Sequence, residues 1–298
     1  MKHLPFQIKT VLFPTDFSKS SESAASHVAG LAHATHAKVH LLNVVPWLPS
    51  WHGASEPYFV VSDEALRQLE ADRKTAEILC LEKLQTVRQR HFRDVECDCL
   101  TKIGGVAKSI VDCAQETAAD LIMMPTHGLG SPRPFLIGSV TARVLHDVRC
   151  AVWTSPHPIE LSSFRPYRQI ICAVDFRLLP LELLIRASEV AELFHSHLSL
   201  VSAIPCPSSD ANAQGRKSVR LLKEETASAL HDQLEELHID APLHVLEGSI
   251  GDVIRRVAAM EDADLVVIGR GHLDEQMGQL RTHAYEIIWS SPCPVLSL

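Results

Sequence analysis

Residues 123–144, MMPTHGLGSPRPFLIGSVTARV, combine glycines and hydroxyl side chains at a spacing that could bind an anion. Gly128 follows an apolar run that predicts a strand, and Gly138-Ser139 opens a predicted helix after nine intervening residues. Glycine allows a phosphate to approach the backbone closely, and the free N–H groups and dipole at a helix start attract anions. The segment is therefore interpreted as an anion-binding loop.

The other polar residues of this loop support the same interpretation, with an ordinary surface loop as the alternative. Ser139 and Thr141 add hydroxyl donors, and Arg133 has the charge that suits a phosphate. The loop contains neither the G-K-[ST] of a P-loop nor the G-x-G-x-x-G of a dinucleotide-binding turn. A Gly/Pro-rich surface loop would carry similar residues, because serine commonly caps a helix.

Two titratable side chains follow predicted strands and could also take part. Asp16 directly follows the first strand, where a carboxylate can accept hydrogen bonds from a ribose or an adenine. It could equally cap the next helix, as could Ser18, Ser20 and Ser21. His127 could act as a general acid or base. Simple hydrogen bonding to an anion is favoured, because no partner group for catalysis is apparent and no catalytic residue is predicted.

The elements that carry these residues occur twice along the chain. Residues 14–46 align without a gap on 173–205, and residues 119–128 align on 263–272. Such a repeat indicates two similar domains in tandem. The predicted organisation is a first domain, a Pro- and Ser-containing linker and a second domain, at residues 1–156, 157–168 and 169–298.

Within each half, apolar runs alternate with helical segments, as expected for parallel strands covered on both faces. In the first half the predicted strands are 8–14, 38–45, 94–101, 119–124 and 150–154, and the predicted helices are 20–36, about 62–91, 105–117 and 139–147. This order predicts an α/β fold with two tandem doubly wound parallel five-stranded sheets of Rossmann-like type. Ligands of such sheets bind at the carboxyl ends of the strands, where the strand order reverses.

Three motifs, VLFPTDFS, LLNVVP and MMPTHG-x9-GSVTARVL, together resemble the universal stress protein family, in particular its tandem-domain members. The ATP-binding members of that family carry Gly-x2-Gly-x9-Gly-Ser/Thr after the fourth strand. This chain has Pro125-x2-Gly128-x9-Gly138-Ser139 at that place. Proline lacks an N–H and adds a ring, so Pro125 is expected to weaken or reshape the ribose-side contact.

The resemblance implies that the first domain binds ATP with Mg²⁺ and acts as a nucleotide-responsive regulator or stress-tolerance factor. It also implies that domains pair through their last strands, within one chain or between two chains as a homodimer. Carried over by position, the residues implied at the nucleotide are Pro14, Thr15, Asp16, Val44, Met124, Pro125, His127, Gly128, Gly138, Ser139, Val140 and Thr141.

The second half departs much further from the family motif. His272 replaces Gly128, while Thr282 and His283 replace Gly138 and Ser139. The loop between them carries Asp274 and Glu275, which would repel a triphosphate. Of the pattern, Gly269 and Asp175 are retained. We therefore expect no ATP in this half, which would serve as a structural partner of the first.

Composition limits the remaining possibilities. A formal net charge of −8 gives no overall attraction to nucleic acid or anionic membranes, and neither is expected as a partner. No signal peptide or membrane-spanning run is apparent, so a cytoplasmic protein is expected, with its 8 cysteines as structural thiols. The 17 histidines are scattered, so no metal site is predicted. A slow ATPase or nucleotidyl-transfer enzyme and a nucleotide-free scaffold are the alternative functions.

Overall fold

A computed structural model describes residues 5–46, 63–128, 137–155, 164–175, 181–206, 213–270 and 282–298. The strands of the first half are β1 (Thr10–Pro14), β2 (Lys38–Pro46), β3 (Cys97–Gly104), β4 (Leu121–Pro125) and β5 (Ala151–Ser155). Its helices are α1 (Lys19–Thr35), α2 (Asp63–His91), α3 (Val106–Glu116) and α4 (Ser139–Asp147).

The second half repeats this alternation. Its strands are β6 (Gln169–Ala173), β7 (His197–Ile204), β8 (Leu243–Glu247), β9 (Leu265–Ile268) and β10 (Val295–Ser297). Its helices are α5 (Leu181–Phe194), α6 (Ala213–Leu237), α7 (Ile250–Met260) and α8 (Thr282–Ser290). The predicted α/β class and the tandem, doubly wound arrangement are confirmed.

The strands form a ten-stranded sheet in the order β3-β2-β1-β4-β5-β10-β9-β6-β7-β8. Within each half the paired strands are parallel, whereas β5 and β10 pair antiparallel, with Trp153 opposite Leu296. The two five-stranded units are therefore joined edge to edge. Each last strand thus gains a hydrogen-bonded neighbour on a side that would otherwise be an unpaired sheet edge.

The apolar strands bury both of their faces. In β1, Val11 and Phe13 belong to one hydrophobic cluster, which includes side chains of α1 and α2, and Leu12 belongs to a second cluster with side chains of α3 and α4. Successive side chains of a strand point to opposite faces of the sheet. Helices on both sides therefore explain why these strands read as continuous apolar runs.

The two ladders of β1 differ in length. Pairing with β2 continues from Thr10 to Pro14, but the register with β4 covers Val11 and Leu12 alone. Strands β1 and β4 therefore part before their carboxyl ends. This leaves a crevice at the point where the strand order reverses, which is the usual ligand position in such sheets.

The predicted strand at 94–101 was wrong by three residues at both ends, because β3 spans Cys97–Gly104. Residues 93–95 form a turn and bend instead. Local sequence does not define where this strand begins, and pairing of Val39 with Cys97 sets the register with β2. Cys97 and Cys99 are free thiols, and Cys97 is buried.

The end of the predicted linker packs onto the first half. Tyr167 is buried, and its hydroxyl accepts a hydrogen bond from the Trp153 indole N–H at 2.9 Å. His27 Nε2 lies 2.8 Å from the same hydroxyl. Phe164 packs edge-on against the His27 ring, with 5.0 Å between the ring centroids. Two residues of the predicted linker thus share one aromatic cluster with Trp153 of β5 and His27 of α1.

Candidate functional site

The turn after β1 is organised by Asp16. Its Oδ1 accepts hydrogen bonds from the Ser18 N–H at 3.0 Å and from the Ser21 hydroxyl at 2.7 Å. Ser18, not Asp16, is the N-cap of α1, because its hydroxyl oxygen accepts from the Ser21 N–H at 3.2 Å. Asp16 therefore braces the turn, and its second oxygen, Oδ2, faces another segment of the site.

That other segment is the turn after β4, which contains Gly128. A Cβ placed on Gly128 would lie 2.1 Å from Asp16 Oδ2, far inside van der Waals contact. A side chain at this position would require the Asp16 carboxylate to move. The turn after β1 and the turn after β4, where the Gly-rich loop starts, thus meet across the crevice, although they are far apart in sequence.

The other end of the Gly-rich loop returns to the same place. The Gly138 N–H donates to the Thr126 carbonyl oxygen at 2.9 Å. Gly138 has φ −57°, so it does not need a left-handed conformation. Its requirement for glycine comes from close approach, because a Cβ there would lie 3.0 Å from the Thr126 carbonyl oxygen. Loop residues 129–136, which include Gly130 and Arg133, lie outside the described residues.

The amino end of α4 is capped by backbone alone among the described residues. Gly138 is its N-cap and has no side chain to bond the first-turn amides. The first amide bonded within the helix is that of Ala142, which donates to the Gly138 carbonyl oxygen at 2.9 Å. The amides of Ser139, Val140 and Thr141 precede this bond and project from the helix end, where they favour an anion.

The two hydroxyls of this helix start have different environments. Ser139 is exposed, whereas Thr141 is buried and donates from Oγ1 to the Pro125 carbonyl oxygen at 3.2 Å. The Thr141 hydroxyl was expected to add a donor for an anion, but its proton is committed to the strand. An anion at this end would meet the Thr141 backbone N–H instead.

Pro125 ends β4 without interrupting its ladder with β5. The following residue, Thr126, donates both its N–H and its hydroxyl to the Ser155 carbonyl oxygen, at 3.1 and 3.0 Å. The missing N–H of Pro125 thus leaves these contacts intact. The proline carbonyl in turn holds α4 through Thr141, so Pro125 contributes to positioning the helix start.

Two buried apolar side chains and one buried amide lie in β2 and β4, the strands on either side of β1, whose last residue is Pro14. Val44 in β2 and Met124 in β4 are buried in the same hydrophobic cluster. Asn43 donates from Nδ2 to the Thr15 carbonyl oxygen at 2.8 Å and so fixes the backbone that follows β1. Asn43 was not among the residues predicted from the sequence, although a single amide in a buried apolar strand is a signal of such a role.

His127 lies beside the same turn, next to Thr126. Its Nδ1 is 3.2 Å from Thr126 Oγ1, which is also hydrogen-bonded to the Ser155 carbonyl oxygen. This contact orients the imidazole ring, and a hydrogen bond from His127 to an anion stays a prediction.

The corresponding place in the second half is built differently. A Cβ on Gly269 would lie 3.2 Å from Cδ2 of Leu183, a buried side chain of α5. The exposed His283 near the start of α8 has its Nδ1 3.9 Å from Glu286 Oε2. Asp175 follows β6. The three residues His272, Asp274 and Glu275, which depart from the family motif, lie outside the described residues.

Two wider observations concern the described parts of the chain. No group of three or more His, Cys, Asp or Glu residues there is arranged to hold a metal ion. None of the helices there is long and apolar enough to cross a bilayer.

The fold defines a tandem α/β protein of Rossmann-like type, and comparison with known sequences identifies its family. The sequence profile of the universal stress protein family matches residues 7–156 and again residues 166–298. The chain therefore belongs to the universal stress protein family, as its motifs predicted.

Individual relatives agree with this assignment. A universal stress protein of Synechocystis sp. is 32% identical over 148 residues, which are 50% of this chain and 85% of that protein. The solved structure of a universal stress protein from Archaeoglobus fulgidus superposes with a TM-score of 0.63 at 18% identity, covering 99% of this chain and 97% of that one. A Pseudomonas aeruginosa protein of unknown function gives 0.60 at 18% identity, covering 98% and 92%. These structures share the two-domain fold.

Proposed function

We propose that the first half of this universal stress protein binds ATP in the crevice between β1 and β4, with its phosphates at the amino end of α4. The protein then acts as a nucleotide-responsive regulator or stress-tolerance factor. The observation that carries this proposal is the convergence of three separate segments. Asp16 and Gly128 approach each other so closely that a Cβ on Gly128 would lie 2.1 Å from Asp16 Oδ2. The Gly138 N–H returns to the same place and donates to the Thr126 carbonyl oxygen at 2.9 Å.

The phosphate end is supported by the chemistry of the α4 start. Its first-turn amides and positive dipole end form an anion site that needs no basic side chain. Gly138 leaves them without a competing side-chain acceptor. The exposed Ser139 can add its hydroxyl to a phosphate oxygen, which Thr141 cannot do while it donates to Pro125.

The nucleoside end is supported by the apolar walls and the single carboxylate. Val44 and Met124 offer buried apolar surface that suits an adenine ring. Asp16 is held at a fixed angle by Ser18 and Ser21, so its carboxylate is pre-organised to accept hydrogen bonds from ribose hydroxyls. Pro125 offers no N–H here, so contacts on this side depend on the neighbouring residues.

Mg²⁺ would enter with the phosphates instead of occupying a separate protein site. Mg²⁺ retains several waters and is commonly held by substrate phosphates with one or two carboxylates. In this crevice the Asp16 carboxylate, which is held in place by Ser21, would be the protein group available to the ion. The bound ion would offset part of the triphosphate charge, which a protein with a formal net charge of −8 does not neutralise overall.

We further propose that the second half binds no ATP and serves as the intramolecular partner of the first. Leu183 packs against Gly269 at the position where a crevice would open, and the antiparallel β5–β10 ladder supports a pairing role. In this proposal the protein works in the cytoplasm. Any homodimer would add to the pairing within the chain.

Calorimetric titration of ATP with Mg²⁺ into the full chain tests the proposal. Saturation at one ATP per chain is the expected result, because one of the two halves retains the glycine-lined helix start. Two sites would contradict the account of the second half, and absence of binding would leave the scaffold alternative. Steady release of phosphate or AMP, lost in a Ser139→Ala, Gly138→Val double variant, would show that the protein is an enzyme.

A further inference from the structure

Arg270 reaches from the second half into the first. Its guanidinium donates from Nη1 to the Val148 carbonyl oxygen at 2.7 Å and from Nη2 to the Arg149 carbonyl oxygen at 3.2 Å. A further bond from Nη2 goes to the Cys150 carbonyl oxygen. These three consecutive carbonyls follow the last residue of α4, so one side chain holds the whole connection between α4 and β5.

The position of this guanidinium suits the end of a helix. Its positive charge lies by the carboxyl end of α4, where the helix dipole favours a cation. Burial lowers the pKa of Arg270, but an arginine stays charged, and its planar donors are satisfied by carbonyl oxygens. Its own backbone N–H donates to the Leu298 carbonyl oxygen at 3.1 Å, which anchors Arg270 next to β10.

A second contact from the same half reaches the middle of α4. The Tyr285 hydroxyl of α8 lies 3.5 Å from the Ala142 carbonyl oxygen, as a weak donor. At the other end of the helix, Gly138 and Thr141 bind the carbonyls of Thr126 and Pro125. With nine residues, α4 is about 13.5 Å long, so the contacts at its two ends act on one short helix.

The sequence repeat shows what Arg270 replaces. When residues 119–128 are aligned on 263–272, Arg270 takes the position of Thr126. In the first half Thr126 holds the returning Gly-rich loop through its carbonyl oxygen. In the second half the equivalent side chain crosses to the other domain. The second half thus places an interdomain contact at the position where the first half binds its own loop.

We propose that Arg270 is a positioning residue that clamps α4 from its carboxyl end and thereby sets the affinity of the opposite end for phosphates. This inference rests on the proposed ATP site of the first half. It predicts that losing the clamp weakens the phosphate-dependent part of nucleotide binding and leaves the nucleoside part intact. The second half would then tune the nucleotide site of the first without binding nucleotide itself.

Three variants of the full chain test the clamp. Arg270→Met removes the donors at similar length, and Arg270→Lys keeps the charge and part of the donor capacity. Arg256→Met is the matched control, because Arg256 also donates to a carbonyl oxygen, that of Glu247, at 2.8 Å within its own half. Affinities for ATP with Mg²⁺ and for adenosine are measured, together with hydrogen exchange of the α4 amides without nucleotide.

Arg270→Met is expected to weaken ATP binding about tenfold, a typical coupling between sites, while adenosine affinity stays within about twofold. Arg270→Lys should lie in between, Arg256→Met should match the unaltered protein, and α4 amides should exchange faster in Arg270→Met alone.

Equal losses for ATP and adenosine, or an unchanged ATP affinity, would overturn the inference. If the unaltered protein binds no ATP, the proposed function fails. Hydrogen exchange of the α4 amides without nucleotide then tests separately whether Arg270 holds the helix. Unchanged exchange in Arg270→Met would overturn that part of the inference as well.

Discussion

Replacing Gly138 by valine is expected to weaken ATP binding by about a hundredfold or more, which corresponds to about 2.7 kcal/mol. A Cβ at this position already lies 3.0 Å from the Thr126 carbonyl oxygen, and valine adds two methyl groups to it. The carbonyl is backbone at the end of β4, so it cannot swing away as a side chain would. The start of α4 must move instead, and its amides leave the proposed phosphate position.

Gly105→Val is the matched control for this experiment. Gly105 is also a helix N-cap, with φ −69° and without a side-chain cap, but a Cβ there meets no atom within 4 Å. Both variants share the change in helix-cap chemistry, so their difference isolates the close approach at Gly138. Calorimetry should show ATP binding retained in Gly105→Val. Retention of full affinity in Gly138→Val would remove the α4 start from the proposed site.

Acidification is expected to destabilise the protein through His27. This side chain is buried, with its ring stacked on Trp153 at a centroid distance of 4.8 Å. Burial lowers the pKa of His27 to about 4. Because the Trp153 N–H donates to the Tyr167 hydroxyl, that hydroxyl can donate its proton to the unprotonated Nε2 of His27. Protonation of Nε2 would remove this bond and bury a charge.

The direction of the effect follows from the two pKa values. In the unfolded chain His27 takes up a proton near its ordinary pKa of 6.5, whereas in the folded protein it does so near about 4. The contribution of His27 to the free energy of unfolding is therefore complete above its pKa in the unfolded chain. It declines as the pH falls from that value towards the pKa in the folded protein. Proton linkage gives a loss of about 3 kcal/mol over the whole window and about 2 kcal/mol between about pH 7.5 and pH 5.

Urea unfolding of the unaltered protein and of His27→Gln at these two pH values measures this contribution. Glutamine keeps a polar group near the position of Nε2 and does not titrate, so the stability of the variant should fall less on acidification. His40 and His91 also have pKa values lowered by burial and add to the slope of both proteins. The difference between the slopes therefore reports His27, and equal slopes would contradict the assignment.

Much of the architecture could be predicted from local patterns. Apolar runs and helical segments revealed the order of strands and helices, and the internal alignment revealed the tandem repeat. These signals are local because side-chain periodicity follows directly from helix and strand geometry. The spacing between Gly128 and Gly138 led to the prediction of an anion-binding loop. The return of that loop to Thr126, through the Gly138 N–H, became visible in the structure.

Other details needed the folded chain. The start of β3 at Cys97 depends on pairing with Val39 in β2, and the choice of Ser18 as the cap of α1 depends on the turn that Asp16 braces. Several residues can satisfy a helix start equally well from sequence alone. The three-dimensional path of the turn decides between them, and here it left Asp16 facing Gly128.

By itself, the sequence determined the α/β repeat, the family and the one half in which the glycine-lined helix start is intact. The tertiary structure alone decided which distant groups meet: Asp16 with Gly128, His27 with Tyr167, and Arg270 with the end of α4. Periodicity and spacing report on neighbours a few residues apart. Contacts between residues more than a hundred positions apart arise when neighbouring strands, such as β1 with β4 and β5 with β10, bring separate segments to one place.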